Sequence, residues 1–234
     1  MKLSLVIPCY DEAKNIPLIL ERLKAAITRP DVEAILVNNG SRDGSQKVLD
    51  ELLPGYPFAR TVLVPVNRGY GYGIRQGLAA ARGEYAGWTH ADLQTDPSDA
   101  LRALEIIERR GNPGAILVKG SRRGRPLFDQ VFTVGMSLFE TLYLGQRLWD
   151  INAQPNLFPR RFLESWTNPP DDFSLDLYAL YLARKRGFEI VRFPVRFPPR
   201  IHGASSWNTG LRSKWKFIKR TLDFSVRLKK GLSS

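Results

Sequence analysis

The chain has a single cysteine, Cys9, among 234 residues. No internal disulfide can form, and no metal-ligand spacing surrounds it. Its place inside an apolar run marks it as a small buried hydrophobe. Nowhere does the sequence offer the roughly 18 uninterrupted apolar residues that a membrane-spanning helix needs. The opening MKLSLVIPCYDE has an apolar stretch too short for a secretory leader and meets acids at once. These absences predict a cytoplasmic protein, or one held peripherally on the inner face of a membrane. Internal repeats and low-complexity linkers are missing. So are a phosphate loop ending in Lys-Ser/Thr and a dinucleotide loop with its acidic ribose partner. Nucleoside-triphosphatase and dehydrogenase chemistry therefore lack their motifs.

What the chain does have is charge, unevenly placed. The net charge is +12, but from Arg200 onward nine Lys/Arg oppose one acid, Asp223, so the tail carries +8 and the preceding 199 residues only +4. A basic excess confined to a tail, without a recognisable nucleic-acid module, argues against nucleic acid as a partner. A composition of 43% hydrophobic residues, 11% of the chain being aromatic, supports an ordinary globular core. The length suits one domain over 1–208 and a basic amphipathic helix over 209–234.

Short runs rich in Val, Ile and Leu occur at Leu3–Ile7, Val32–Val37, Arg60–Pro65, Tyr85–Thr89 and Ala115–Lys119. Amphipathic patterns at Ala13–Ile27, Ser45–Leu53, Tyr72–Arg82 and Pro97–Arg110 separate them. This alternation predicts an α/β fold with a mostly parallel, Rossmann-like sheet and helices on both faces. Beyond Arg125 the alternation stops. Leu127–Leu144 reads as a strongly apolar helix, either in the core or at an interface. A proline-rich break then precedes a capped helix ending at Gly187, and Glu189–Phe197 reads as one more strand.

In parallel sheets, ligands bind beyond the carboxyl ends of the strands. Five successive strand ends here carry CYDEAKN, NNGSRDGS, VNRGYGYG, HADLQTD and KGSRRGRP, which implies one composite site. Gly40 and Gly44 permit a tight turn, and Ser41 and Asp43 can cap the helix that follows. Asp92 and Gln94 are oxygen ligands two positions apart, so an extended stretch would aim both the same way. That pair suits Mg2+ or Mn2+ beside substrate phosphates. His90 shares the parity and either joins the ion or hydrogen-bonds a ribose or phosphate.

Taken together, these motifs resemble glycosyltransferase family 2, on the nucleotide-sugar-binding fold called GT-A, in the style of the dolichyl- and polyprenyl-phosphate mannosyl- and glucosyltransferases. The likeness runs from Leu3 to about Ser206, carried by LVIPCYDEAKNI, VNNGSRDGS, NRGYGYGIRQG, HADLQTDP, KGSR and RIHGASS. It implies an inverting transfer from a nucleotide-sugar donor to a polyprenyl phosphate or a cell-envelope glycan, with Mg2+ or Mn2+ as cofactor. It assigns Pro8, Tyr10, Glu12, Asn38, Asn39, Gly40, Asn67, Gly71, His90 and Ala91 to the nucleotide pocket, and Asp92 and Gln94 to the metal.

The sequence departs from that pattern in three places. Asn38-Asn39 replace the usual Asp pair, and an amide can donate to the N3 of cytosine as a carboxylate cannot. His90 replaces the first acid of the metal motif. The acceptor stretch appears as DINAQPNLFPR, without its Gly-Phe. A polyprenyl monophosphate is already ionised and needs cations, for which Arg122 and Arg200, with Arg125, are placed. A sugar hydroxyl needs a base, for which Asp172, or its neighbours Asp171 and Asp176, stands at the start of a helix; a plain helix N-terminus charge is the alternative. A catalytically inactive sugar-nucleotide binder or scaffold is the rival reading. In the tail, Leu211, Trp215, Ile218, Leu222 and Val226 form one stripe, and Phe217, Phe224 and Leu228 another. One can dock on the domain while the other meets a membrane surface or a second copy in a homodimer.

Overall fold

The computed structural model describes residues 1–110, 113–198 and 211–231. Seven strands, β1 (Leu3–Cys9), β2 (Val32–Asn39), β3 (Ala59–Val64), β4 (Tyr85–Trp88), β5 (Ile116–Arg123), β6 (Asn156–Pro159) and β7 (Glu189–Arg196), form one sheet. Their order is β3-β2-β1-β4-β6-β5-β7. The helices are α1 (Ile16–Ala26), α2 (Ser45–Leu52), α3 (Tyr70–Ala79), α4 (Ser98–Glu108), α5 (Leu127–Leu144), α6 (Leu175–Lys185) and α7 (Leu211–Lys230).

Side-chain alternation divides the core into two layers. Leu5 and Ile7 pack under α1 and α4 with Leu20, Leu36 and Leu104. Val6 points to the other face, with Ile35, Ile74, Trp88, Phe158 and Leu180, beneath α3 and α6. Both faces are covered, as near-continuous apolar strands require. Strands β1–β4 are mutually parallel where they pair, so their carboxyl ends share one edge.

The first five strands and the last fall where periodicity places them. The exception is β6, for which no expectation existed. This four-residue strand runs antiparallel between β4 and β5. Following one proline and ending on another, it is too short to show a period. Glycines make room for it, since a Cβ at Gly87 would collide with the Asn156 carbonyl, and one at Gly120 with that of Gln154.

Helix α7 docks against α5 and α6 through the stripe containing Phe224 and Leu228, while Trp215 and Val226 face outward. The side chains of Leu211 and Phe217 lie outside the described set. Between α7 and α5, the Ser225 hydroxyl lies 2.8 and 2.7 Å from the two carboxylate oxygens of buried Glu140, and 2.9 Å from the Thr221 carbonyl. Ser225 has one proton to give, so a protonated Glu140 that donates to Ser225 Oγ frees the hydroxyl to donate to the Thr221 carbonyl. Burial raises the Glu140 carboxyl to about 7, the Ser225 hydrogen bond opposing it.

Folded Glu140 thus keeps its proton up to about pH 7, whereas the unfolded chain releases it near 4.5. Its stability contribution is full below the lower value and is lost as pH rises to the upper one. Glu140→Gln removes this titration. Urea midpoints measured from pH 5 to 8 should diverge with rising pH, favouring the variant by about 1–3 kcal/mol at the alkaline end relative to the acid end.

Candidate active site

At the carboxyl edge of the sheet the loops lock one another before any ligand is considered. Ser41 Oγ accepts the Asp11 N–H at 3.1 Å, Asp11 Oδ1 accepts the Arg42 N–H at 2.7 Å, and Asp43 Oδ2 accepts the Ala13 N–H at 2.9 Å. Asp43 Oδ1 accepts the Ser45 N–H, so Asp43 steadies the start of α2, whereas Ser41 bonds to the 10–13 loop. Gly40, at φ +72°, lets the Asn67 backbone approach where a Cβ would collide. Gly69 and Gly71 leave room for the carbonyls of residues 170–172, and the Tyr72 N–H donates to Asp171 O at 2.9 Å. These hydrogen bonds and glycines together bring four chain segments to one rim.

Around that rim, Pro8 is the last residue but one of β1, Tyr10 is exposed, and Glu12 accepts the Asn15 amide. Asn67 Oδ1 accepts the Gly69 N–H at 2.8 Å, steadying the turn into α3. Asn38 and Asn39 lie below the rim, 2% and 3% exposed. Asn38 donates to Gln46 at 2.9 Å and accepts the Ser41 N–H at 3.0 Å. Asn39 donates to Gly69 O at 2.9 Å, and its Oδ1 has no partner among the described residues. In this arrangement both amides help to shape the loops.

Nor does the 90–95 segment follow the expected path. Leu93 has φ +62°, and Asp92 Oδ1 accepts the Gln94 N–H at 3.1 Å, so the stretch is a turn rather than extended chain. Thr89 and Thr95 hydroxyls 2.9 Å apart close it, and Arg22 holds the Leu93 carbonyl. The parity argument that aimed Asp92 and Gln94 together therefore fails, because the chain leaves the sheet after Trp88. Both remain within one tight loop, with Ala91 and Asp92 buried and His90 half-buried. Gln94 Nε2 donates to the Pro198 carbonyl at 2.9 Å.

Behind the rim lies a polar network that sequence reasoning missed. Lys119 is fully buried and donates to Ala153 O at 2.7 Å and to Asn156 Oδ1. Its ammonium is 3.7 Å from Asp176, which accepts from Gln154 Nε2 at 2.8 Å and Asn156 Nδ2 at 3.1 Å. Burial draws the Lys119 ammonium down to about 7 while Asp176 opposes it. Gln154 Nε2 also reaches the Tyr70 hydroxyl at 3.3 Å, and burial, helped by Asp176 and Asp92, raises that phenol. The Tyr70 ring stacks on Phe173 at 4.7 Å and sits 5.8 Å from His90. A lysine at a strand end reads as exposed, and Tyr70 was hidden among the glycines of NRGYGYG.

On the far side of Phe173, a small open pocket is lined by Phe132, Met136, Ile151, Leu177 and Arg122 among others. Arg122 Nε donates to Asp150 Oδ1 and its backbone N–H to Oδ2, both at 2.8 Å. Burial pushes the Asp150 carboxyl up, but Arg122 overcomes this and holds it below the ordinary range. Arg122 thus reaches the pocket already paired. Asp172 accepts the Ser174 N–H at 2.8 Å and pairs with Arg220 of α7 at 3.4 Å, a helix-start role, and Asp171 pairs with Arg75. Arg200 and the RIHGASS segment lie outside the described residues.

A mostly parallel sheet with one antiparallel strand and interlocked loops at its carboxyl edge matches the GT-A architecture of sugar-nucleotide enzymes. The family model described as Glycosyl transferase family 2 matches residues 4–155, and the chain belongs to that family. It is similar to a polyprenol monophosphomannose synthase of Mycolicibacterium smegmatis, 28% identical over 221 residues, covering 86% of this chain and 78% of that protein. An undecaprenyl-phosphate 4-deoxy-4-formamido-L-arabinose transferase of Photorhabdus laumondii is 29% identical over 171 residues, 70% of this chain, which spans about half (51%) of that relative. Among solved structures, glucosyl-3-phosphoglycerate synthase of Mycobacterium tuberculosis, with Mn2+, uridine diphosphate and glucosyl-3-phosphoglycerate, superposes with a TM-score of 0.72. It is 18% identical, covering 98% of this chain and 80% of its own, a likeness of fold.

The buried network should respond as a unit. Asp176→Asn removes the charge opposite a desolvated ammonium and should lower stability by about 3–5 kcal/mol. In a double-mutant cycle by urea unfolding, Lys119→Met combined with Asp176→Asn should cost clearly less than the sum of the single changes.

Proposed function

We propose that this transferase moves a sugar from a nucleotide-sugar to a polyprenyl phosphate at the inner face of a membrane. The observation that carries the choice of acceptor is the state of the three candidate bases. Asp171 is paired with Arg75, Asp172 with Arg220, and Asp176 is buried against Lys119. A sugar hydroxyl needs a base to take its proton; a phosphate monoester, already ionised, needs none. The pocket beside Arg122 supports the same reading, because its apolar lining suits an isoprenoid next to a charged headgroup. Two curated relatives act on such lipids by name. Among the described residues no helix is long and apolar enough to cross a membrane, so contact with the lipid acceptor would be peripheral. A homodimer is compatible with the same chemistry.

In this reading the nucleoside diphosphate rests on the rim between the 10–13, 40–45 and 67–71 loops, with His90 and Tyr70 beside the sugar. An acceptor phosphate oxygen attacks the anomeric carbon from the side opposite the leaving group. The bond to the diphosphate oxygen breaks with its electron pair, which leaves inversion at carbon. Arg122, and Arg200 by resemblance, hold the acceptor phosphate, and such charge-assisted contacts are worth about 1.5–3 kcal/mol each. Asp92 and Gln94 offer oxygen donors only, and no third acid joins them among the described residues, a set that suits Mg2+ or Mn2+ completed by phosphate oxygens and water. The ion, when bound, neutralises charge on the departing diphosphate.

A panel of nucleotide sugars with a short-chain polyprenyl phosphate in detergent tests the reading. Transfer should depend on Mn2+ or Mg2+, stop with chelator, and fall about 100-fold or more in Asp92→Asn. Metal-independent turnover, or transfer to a glycan and not to the lipid phosphate, would refute it. The same panel shows whether Asn38 and Asn39 favour cytidine nucleotides over uridine and guanosine ones.

A further inference from the structure

Helix α5 leaves one face of the fold uncovered. Leu127, Val131, Val134, Leu138 and Leu142 are 44–76% exposed. At about 100° per residue they fall within an arc of about 80°, and the stripe runs ~22 Å along the helix. No charged residue of α5 shares that arc: by helical position Asp129 lies on the other side, and Glu140 is buried toward Ser225. Soluble monomers rarely expose a contiguous apolar surface of this kind.

The surroundings of the stripe identify what covers it. Phe139, itself exposed, stacks on Tyr143 with centroids 5.6 Å apart, and Lys229 of α7 lies 4.4 Å over the Tyr143 ring. Apolar stripe, aromatic pair and cation are therefore contiguous. Lys219, Arg227 and Lys230 are exposed on α7, with Asp223 as the accompanying acid. Arg123 is exposed before α5, and Arg147 and Trp149 after it. An apolar band edged by aromatics and cations matches the interface of an anionic bilayer, where acyl chains take the band and headgroups the charges. A second copy meeting α5 face to face would bring two sets of these cations together.

We propose that α5 is the membrane-docking element of this protein. It lies along an anionic bilayer with the 127–142 stripe among the acyl chains and the cations of α7 at the headgroups. The sequence left Leu127–Leu144 open between the core and an interface, and the exposed stripe favours the interface. Docking stands apart from the transfer reaction, because binding is read without donor or acceptor.

Co-sedimentation of the full chain with phosphatidylcholine vesicles, with and without one-quarter phosphatidylglycerol, tests the proposal. Binding should require the anionic lipid and weaken with salt. The pair Leu138→Glu and Leu142→Glu, both at exposed positions, should weaken partitioning at least ~10-fold with an unchanged circular dichroism spectrum. Lys229→Gln with Lys230→Gln should reduce the anionic preference while leaving the fold intact. Failure of the wild type to bind, undiminished binding by the leucine pair, or a stable dimer that the leucine pair dissociates would each overturn it.

Discussion

An ammonium group buried on β5, between β6 and the edge strand β7, organises this molecule. Taking Lys119 out of water costs several kcal/mol, and that cost is offset only where the geometry around it is complete. The Ala153 carbonyl, the Asn156 amide oxygen and the Asp176 carboxylate provide it. Those partners come from the segment leading into β6, from β6 itself and from α6. One charge therefore ties the antiparallel strand to β5 on one side and to a helix on the other. Its influence reaches the ligand rim through Gln154, which joins Asp176 to the Tyr70 hydroxyl, and Tyr70 in turn carries Phe173 and stands beside His90. The polar interior and the aromatic wall of the site form one construction.

The rim follows a different principle. Its loops are held by side chains that cap neighbouring backbone N–H groups and by glycines that let carbonyls approach closely. Residues of family motifs, such as Asn39, Asn67, Gly69 and Gly71, spend part of their chemistry on this scaffolding. A pocket whose walls are cross-braced before ligand binding loses little entropy on capturing a nucleotide. In the same way, the pairing of Asp171 with Arg75 and of Asp172 with Arg220 supports the proposed acceptor, a phosphate that arrives ionised.

Helices α5 and α7 are coupled by the buried Glu140–Ser225 contact, and α7 reaches the start of α6 through Arg220 on Asp172. The helix that presents the apolar stripe is thus joined to the helix that braces the start of α6, next to Phe173 and the pocket. The stripe proposed to face lipid and the pocket beside Arg122 share two adjoining helices.

Much of this was legible in the sequence. Strands β1–β5 and β7 and helices α1–α6 follow from hydrophobic periodicity, a local property of the chain, and the position of the site follows from polar loops at successive strand ends. Strand β6 was not legible, because four residues that follow one proline and end on another carry no period and pair only with strands distant in sequence. The turn at Leu93, the burial of Lys119 and the inward use of the Asn38 and Asn39 amides are likewise tertiary outcomes: each depends on which carbonyl or carboxylate the fold brings within hydrogen-bonding distance. Whether α5 is core or surface was undecided for the same reason. An apolar helix is equally apolar in either place, and only the packing of α7 and α6 against its other side determines which face is left over.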